Sequence, residues 1–341
     1  MDKILVIQTA FIGDAILTLP MIQKLKEQND TCEIHVLAIP STHEIFSASS
    51  YVDRVLVIDK KNKHKSLLGL LRFIKEIKVN NYAKIYSPHR SLRTSFIVLS
   101  LGVKETYGFS NSSLKHVYRH IINYEPGHHE VQRNLELIGY SNKNNDWKIL
   151  PEIRSNKEII EKIDRYFSDN KINSKIAAVA PGSVWNTKIY PQEYYREIIN
   201  FLKDKGYYIF IIGGEKDKEL CADLINNIPG STASVAGMFS LTETIELLKR
   251  AEILISNDSA PTHMGVSAHI PVLTIYCSTV SSFGFYPYNS KSSFLSFDDL
   301  PCKPCGIHGH KECPVKTFDC GYKLKPQIVI SKIEEMLNDK N

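Results

Sequence analysis

The sequence lacks any uninterrupted apolar run near the roughly 18 residues that a membrane-spanning helix requires. Asp2 and Lys3 directly precede its first apolar segment. The sequence therefore predicts neither a transmembrane protein nor a cleaved secretory signal. Tandem repeats of roughly 20–50 residues are also absent, which excludes a repeat array. The 341 residues, 43% hydrophobic and 23% charged, suffice for two globular domains.

A complete set of disulfide partners is lacking as well, because the seven cysteines are odd in number. Four of them fall within nineteen residues, in the pattern C-x2-C-x7-C-x6-C: Cys302, Cys305, Cys313 and Cys320. Thiolates at such a spacing, with His308 and His310 nearby, are typical of a metal site. The alternative is a set of reduced cysteines packed inside a cytosolic enzyme.

Charge is unevenly distributed between the two halves of the chain. Residues 1–150 contain 20 lysines and arginines against 14 acidic residues, whereas residues 151–341 contain 22 against 23. The first half therefore carries the excess positive charge, together with 8 of the 12 histidines. This difference predicts that the first half meets an anionic partner.

Apolar strand-like runs alternate with segments of helical periodicity along both halves, beginning with KILVIQ and DAILTLPMIQKLKEQ. The pattern loosens between about 105 and 155 and then resumes with EIIEKIDRYFSDN and KIAAVAPGS. It predicts an α/β protein with two doubly wound domains divided near residues 150–160. Ligands of such sheets bind beyond the carboxyl ends of the strands, so the loops after the strands are the candidate sites.

The first such loop, residues 9–14, lacks the GxGxxG fingerprint of dinucleotide-binding proteins. Gly13 permits a tight turn, and Asp14 stands where the first helix begins. An aspartate there is often only a helix cap. The other interpretation is a carboxylate that accepts a proton from an attacking hydroxyl.

Two further loops follow predicted strands of the second half. Residues 181–188 contain small and hydroxylated residues before Lys188, which suits a phosphate, although the spacing of a P-loop is absent. Gly213 and Gly214 permit close approach of a ligand, and Glu215 could bind a ribose. An ordinary surface loop and a simple tight turn are the alternatives.

A fourth loop, residues 257–263, follows the strand-like run ILIS. Pro261 suits a first helical turn, and the N-terminus of a helix attracts a diphosphate. Asp258 or Ser259 could instead serve only as the cap of that helix, and His263 could be a buried structural histidine.

These loops together resemble glycosyltransferase family 9, the ADP-heptose:lipopolysaccharide heptosyltransferases, over nearly the whole chain. The motifs that carry the resemblance are KILVIQTAFIGDAILTLPMIQKLK, PGSVWNTKIYPQEYY, IIGGEKD and NDSAPTHMGVSAHIPVLTIYCST. The resemblance implies the GT-B fold, two Rossmann-like domains that face each other across a cleft. It implies an acceptor-binding domain over residues 1–155, a nucleotide-sugar-binding domain over 156–325, and a terminal helix over 326–341 that crosses back to the first domain.

The resemblance also implies roles for individual residues. Asp14 corresponds to the catalytic base and Lys188 to a catalytic lysine that binds the diphosphate. The remaining donor-binding residues are Ser183, Thr187, Glu215, Met238, Asp258, Ser259, Ala260 and His263. Of these, Glu215 matches the acidic residue that binds the nucleoside, and Met238 lies in a segment expected to contact the base.

The implied reaction is an inverting, metal-independent transfer of heptose from ADP-heptose to a hydroxyl of the lipopolysaccharide or lipooligosaccharide inner core. The acceptor is then an anionic glycolipid of the lipid A–Kdo type. No cofactor is expected for catalysis. A protein-heptosylating branch of the family holds iron with four cysteines, but the spacing of the cysteines here is shorter, so the identity of a metal does not transfer from that branch. If the cysteine segment holds a metal, zinc or iron, we expect it to have a structural role.

Two basic segments in the first half suit an anionic, membrane-held acceptor. Residues 89–93 (HRSLR) could bind acceptor phosphates or carboxylates. Residues 60–65 (KKNKHK) precede an apolar helix face, and a basic run beside such a face can dock on an anionic membrane. We therefore expect a cytoplasmic enzyme, peripheral at the inner face of the inner membrane. Alternatively, the helix buries this face in its own domain.

Other functions remain open at this stage. The same family or fold could serve a transferase acting on a protein or another surface glycan, or an NDP-sugar epimerase or hydrolase. The cysteine segment and the basic half could also indicate a nucleic-acid-binding module. We expect no nucleic-acid partner, because the basic residues are not interleaved with aromatic residues in a compact patch.

Overall fold

A computed structural model of the chain describes residues 2–140, 145–226, 228 and 230–338. The chain divides into two compact units, residues 1–154 and 155–341. The division falls one residue before the boundary predicted after residue 155.

The first unit is a doubly wound α/β domain. Its strands are β1 Lys3–Ile7, β2 Glu33–Ala38, β3 Arg54–Val57, β4 Lys84–Ser87, β5 Glu105–Phe109 and β6 His120–Ile122. Its helices are α1 Ile12–Gln28, α2 His43–Ser47, α3 Leu67–Lys78, α4 Leu92–Leu101 and α5 Glu130–Leu137. The described strands pair in parallel in the order β3-β2-β1-β4-β5-β6. The order reverses between β1 and β4, so the loops after these two strands lie side by side.

The second unit repeats this architecture. Its strands are β7 Lys175–Ala180, β8 Tyr207–Ile211, β9 Thr232–Ser234, β10 Ile253–Asn257, β11 Val272–Tyr276 and β12 Ser293–Ser296. Its helices are α6 Lys157–Asp169, α7 Gln192–Asp204, α8 Lys218–Ile225, α9 Leu241–Leu248, α10 Ala260–Ser267, α11 Asp319–Tyr322 and α12 Pro326–Asn338. The described strands form a parallel sheet in the order β12-β11-β10-β7-β8-β9. The reversal between β7 and β10 brings together two of the three loops that the sequence selects in this half, residues 181–188 and 257–263.

Local sequence accounts for where the helices begin. Ser66 Oγ accepts the Gly69 N–H ahead of α3, and Ser91 Oγ accepts the Thr94 N–H ahead of α4. Such caps satisfy backbone donors that have no partner within the helix. Pro261 occupies the first turn of α10, where its missing N–H costs nothing.

Each unit has its own apolar core. In the first unit, β1 and β4 pack on α3 and α4. In the second, β7, β8, β10 and β11 pack on α7 and on the buried face of α12, which is formed by Val329, Ile333 and Met336. The terminal helix therefore packs within the second unit, and its expected crossing to the first domain stays a prediction. No helix among the described residues is long and apolar enough to span a bilayer.

Candidate active site

Asp14 lies in the first turn of α1, at the carboxyl end of β1. Its carboxylate accepts the N–H of Phe11, the residue before the helix, at 3.3 Å. Asp14 is thus the third residue of α1 rather than its N-cap, and it reaches back to the helix start. Its side chain is half-buried. Burial, together with the negative charge of Glu130, raises the pKa of Asp14 to about 7, against opposing effects of the Phe11 N–H and Arg90.

Glu130, a residue that the sequence did not single out, begins α5 beside α1. It is buried in an ion pair with Arg133, with 2.8 Å between Glu130 Oε2 and Arg133 Nη1. The hydroxyl of Tyr124 donates to the same carboxylate at 3.2 Å and accepts from Arg133 at 2.9 Å. The Arg90 guanidinium lies 4.2 Å from the centre of the Tyr124 ring. These contacts fix a negative charge near Asp14 and place Arg90 at the same edge of the sheet.

Lys60 and His89 both contact the loop that contains Asp14. The Lys60 ammonium donates to the carbonyl oxygen of Thr9 at 2.7 Å, and burial lowers its pKa to about 8, helped by Arg93. His89 Nδ1 lies 2.9 Å from Thr9 Oγ1. Burial lowers the pKa of His89 to about 4, so this histidine is neutral near pH 7. The structure therefore brings the two basic segments selected from the sequence to the Asp14 loop.

The segment at residues 60–65 continues into α3, whose apolar residues divide between two faces. Leu70, Phe73, Ile74 and Ile77 are buried in the core of the unit. Leu67, Leu68 and Leu71 are exposed, and Leu67 and Leu68 retain 64% and 69% of their accessible surface. The helix therefore buries one apolar face and still presents leucines to solvent next to the lysines.

In the second unit, Lys188 and Asp258 form an ion pair where the loops after β7 and β10 meet. The distance between Lys188 Nζ and Asp258 Oδ2 is 2.6 Å, and both side chains are largely buried. The Thr279 hydroxyl donates to the same oxygen of Asp258 at 2.7 Å. The predicted diphosphate lysine thus lies at the switch point of the sheet, held by a carboxylate that an anion could replace.

Helix α10 begins directly beside this ion pair. Its N-cap is Ser259, whose hydroxyl donates to the carbonyl oxygen of Gly182 at 3.4 Å, so Asp258 does not cap the helix. Ala260 is the first helical residue. His263 is buried within the first turn, and its Nδ1 has no hydrogen-bond partner among the residues that the structure describes. Burial lowers the pKa of His263 to about 4, and the charges of Asp258 and Lys188 act on it in opposite directions.

Ser183 and Thr187 lie in the loop that ends at Lys188. Ser183 is half-buried, and its Oγ accepts the N–H of Trp185 at 3.4 Å. Thr187 is buried, and its Oγ1 lies 3.0 Å from Ser278 Oγ and accepts the N–H of His310 at 2.8 Å. The hydroxyl of Thr187 is therefore used within the protein, where it holds the loop, and its predicted contact with the donor stays a prediction.

Glu215 and Met238, the predicted nucleoside contacts, are both exposed. Glu215 forms an ion pair with Lys218 at 2.8 Å. A side chain at Gly237 would clash with both Glu215 and Lys218, so the loop before Met238 lies directly against this pair. The structure thus brings Glu215 and the Met238 loop together at one place on the second unit.

The four clustered cysteines occupy the segment between β12 and α12. Cys302, Cys305 and Cys313 are half-buried and Cys320 is buried. Burial raises the pKa of Cys320 to about 11, which favours the protonated thiol. Across the described part of the chain, no group of three or more histidine, cysteine, aspartate or glutamate side chains could hold a metal ion. As arranged here the cysteines do not fit a metal, and the zinc or iron site stays a prediction.

The chain has two doubly wound units. One contains a carboxyl group with a pKa of about 7, and the other contains a lysine beside the N-terminus of a helix. These features match the class of GT-B glycosyltransferases. The family model of glycosyltransferase family 9 (heptosyltransferase) matches residues 70–316, more than half of the chain. The chain belongs to this family and is a glycosyltransferase.

Named relatives support the same assignment. Lipopolysaccharide heptosyltransferase 1 of Campylobacter coli is 26% identical over 293 residues, which cover 82% of this chain and 85% of the relative. Lipooligosaccharide heptosyltransferase 2 of Campylobacter jejuni is 23% identical, with 98% and 99% covered. The structure of Escherichia coli ADP-heptose lps heptosyltransferase II superposes with a TM-score of 0.81 at 16% identity, over 99% of each chain. This last likeness confirms the predicted GT-B fold.

Proposed function

We propose that this protein is an inverting glycosyltransferase that moves heptose from ADP-heptose to a hydroxyl of the lipopolysaccharide or lipooligosaccharide inner core. The observation that carries the proposal is the state of Asp14, a half-buried carboxyl group whose pKa is raised to about 7. A base with such a pKa is half-deprotonated at neutral pH and still basic enough to take a proton from a sugar hydroxyl during attack.

In the proposed reaction, the acceptor oxygen forms a bond to the anomeric carbon while its proton passes to the Asp14 carboxylate. The bond between the anomeric carbon and the diphosphate oxygen breaks on the opposite face, so ADP leaves and the configuration inverts. Negative charge grows on the departing diphosphate. Lys188 and the backbone N–H groups at the start of α10 are the donors that stabilise this charge, which gives the second unit the donor-binding role. No divalent cation is needed for this step.

An anionic acceptor suits the first unit. Lys60, Arg90 and Arg93 lie around the Asp14 loop. Arg93 donates to the backbone carbonyls of His64 and Lys65, which holds the basic segment against α4. Guanidinium and ammonium groups in this arrangement would bind the carboxylates or phosphates of a lipid A–Kdo-type glycolipid.

A membrane-held acceptor would also explain the exposed leucines of α3. Leu67 and Leu68 adjoin Lys61, Lys63 and Lys65, all of them exposed. A surface of this kind binds anionic bilayers because its apolar side chains insert into the lipid and its lysines attract the headgroups. We propose that the enzyme works in the cytoplasm, docked peripherally on the inner membrane through this surface.

The experiment that tests the proposed function is transfer to defined acceptors. The purified protein is incubated with ADP-heptose and with lipopolysaccharide from a series of core-truncation strains, and the masses of the products are measured by mass spectrometry. The expected result is the gain of one heptose by one truncated core. Asp14→Asn should reduce the rate by about 100-fold or more while leaving ADP affinity unchanged. A heptose gain on a protein acceptor alone would favour the protein-modifying alternative. Wild-type turnover by Asp14→Asn would refute the base assignment.

A further inference from the structure

The segment before the clustered cysteines is anchored to the carboxyl edge of the second sheet by Lys303. The side chain of Lys303 is almost fully buried. Its ammonium donates to the backbone oxygens of Tyr276 and Phe297, at 3.0 and 3.1 Å, and to Ser296 Oγ at 2.6 Å. Burying an ammonium is costly unless its donors are satisfied, and these three acceptors satisfy them. The segment therefore has a fixed position relative to β11 and β12.

The same segment is bonded to the loop that carries Lys188. The N–H of Thr187 donates to the His310 carbonyl at 3.1 Å, and the N–H of His310 donates to Thr187 Oγ1 at 2.8 Å. Gly309 has a left-handed φ of 80°, and a Cβ there would lie 2.9 Å from both Thr187 Oγ1 and Ser278 Oγ. A side chain here would be strained by this φ and would crowd both hydroxyls, so glycine favours this close approach. Residues 305–310 thus lie directly against the predicted donor loop.

This arrangement places the ring of His308 beside Trp185. The two ring centres are 6.2 Å apart and the ring planes are within 17° of parallel. The charges of Lys188 and Asp258 both act on the imidazole, whose pKa is lowered first by partial loss of solvent contact and next by Lys188. His308 is exposed and Trp185 is half-buried, so both rings offer accessible surface next to the Lys188–Asp258 ion pair.

We infer that Trp185 and His308 form a subsite for the sugar ring of a nucleoside-diphosphate sugar. The apolar C–H face of a pyranose packs on aromatic rings, and an imidazole adds a hydrogen bond to a sugar hydroxyl. Lys188 marks the position of the diphosphate, and the sugar is attached to that diphosphate. The inference rests on the proposed donor-binding role of the second unit. It assigns a sugar-recognition role to Trp185, which lies in the motif PGSVWNTKIYPQEYY but has no role assigned there, and to His308, which lies outside the motifs of the family resemblance.

The test compares the affinities for ADP and ADP-heptose, measured by titration calorimetry on the full-length protein. His308→Ala and Trp185→Leu should each lower the affinity for ADP-heptose by about fivefold, because each removes one of the two aromatic rings that contact the sugar. The affinity for ADP, which has no sugar ring to contact this surface, should change by less than about twofold. His308→Phe keeps a ring and should restore part of the loss. Ile307→Ala and His310→Ala are the controls, since both lie in the same segment and the second keeps its backbone bonds to Thr187.

The outcomes separate this inference from the proposed function. If the wild-type protein binds neither ADP nor ADP-heptose, the donor assignment of the proposed function fails. If the wild type binds both and His308→Ala binds both equally well, the sugar subsite is refuted. Equal weakening for ADP and ADP-heptose also refutes it, because such a loss reports a diphosphate contact or a displaced loop. Melting temperatures of the variants identify any that fail to fold.

Discussion

The carboxylate of Asp258 binds two donors through one oxygen, the ammonium of Lys188 at 2.6 Å and the hydroxyl of Thr279 at 2.7 Å. Lys188 therefore has an anionic partner inside the protein before any donor arrives. Under the proposed function, the diphosphate of the nucleotide sugar competes with Asp258 for this ammonium. Lys188 thus pairs with Asp258 in the free protein, and under the proposed function it pairs with the leaving diphosphate in the complex.

Replacing Lys188 tests this competition. Lys188→Ala should weaken ADP binding by about tenfold or more and lower kcat as well, because a charge-assisted hydrogen bond to the leaving diphosphate is lost. Calorimetry with ADP and initial rates with ADP-heptose measure the two effects. Lys162→Ala, which removes a lysine paired with Glu243 on the protein surface, is the matched control. ADP affinity that stays at the wild-type value would contradict the assignment.

Removing the charge of Glu130 should change the pH dependence of the reaction. The negative charge of Glu130 raises the pKa of Asp14, so Glu130→Gln should lower that pKa and leave Arg133 with uncompensated positive charge, which acts in the same direction. The acidic limb of the profile of kcat/KM against pH should then move to lower pH. Glu136→Gln removes a charge from the same helix and serves as the control. An unmoved acidic limb in a folded Glu130→Gln variant would exclude this electrostatic coupling.

The raised pKa of Asp14 also predicts an effect on stability. The folded protein holds the proton up to about pH 7, whereas an unfolded aspartate releases it near its ordinary pKa of 3.8. Stability contributed by this proton is therefore fully present below about pH 4 and is lost as pH rises through about 7. Asp14→Asn should raise the melting temperature at pH 8 and leave it nearly unchanged at pH 4. The exposed Asp30, changed to Asn, is the control, and an equal shift at both pH values would argue against the raised pKa.

The exposed leucines of α3 predict binding to lipid vesicles. Leu67→Asn with Leu68→Asn should weaken sedimentation with phosphatidylglycerol-containing vesicles by about tenfold or more, because two side chains no longer enter the lipid. Val79→Asn is the control, since Val79 is 74% exposed but follows the other end of the helix. Phosphatidylcholine vesicles should bind the wild type weakly. Equal binding of the double variant and the wild type would place the membrane contact elsewhere.

The sequence predicted best those elements whose residue pattern depends on local burial, such as the central strands. The central strands, such as β1 and β10, are continuous apolar runs because both faces of a parallel sheet are covered, and the structure confirms them. The strands β5 and β6, ETYGF and HII, lie where the pattern loosened. β6 is the edge strand and β5 is its neighbour, so this end of the sheet is partly solvated and accommodates polar residues. Hydrophobic periodicity alone therefore did not reveal these two strands.

The loops that contain the predicted site residues follow strands, but the partners of these residues within the protein were not foreseeable from the sequence. Lys188 meets Asp258 across 70 residues of sequence, and Thr187 meets His310 across 123. Glu130 belongs to no motif that the sequence singles out. Its effect on the pKa of Asp14 arises only because α5 packs against α1. Sequence reports which side chains a loop carries, whereas charge coupling between loops depends on the fold.

The bonds between Thr187 and His310 also bear on the order in which the chain acquires its function during synthesis. The first unit is complete within residues 1–154 and has its own core, so it can fold while the rest is still being translated. The loop that carries Lys188, by contrast, waits for residue 310 before its hydrogen bonds can close. A nascent chain would thus acquire its Asp14 environment early and a fixed Lys188 loop only after residue 310 has been synthesised.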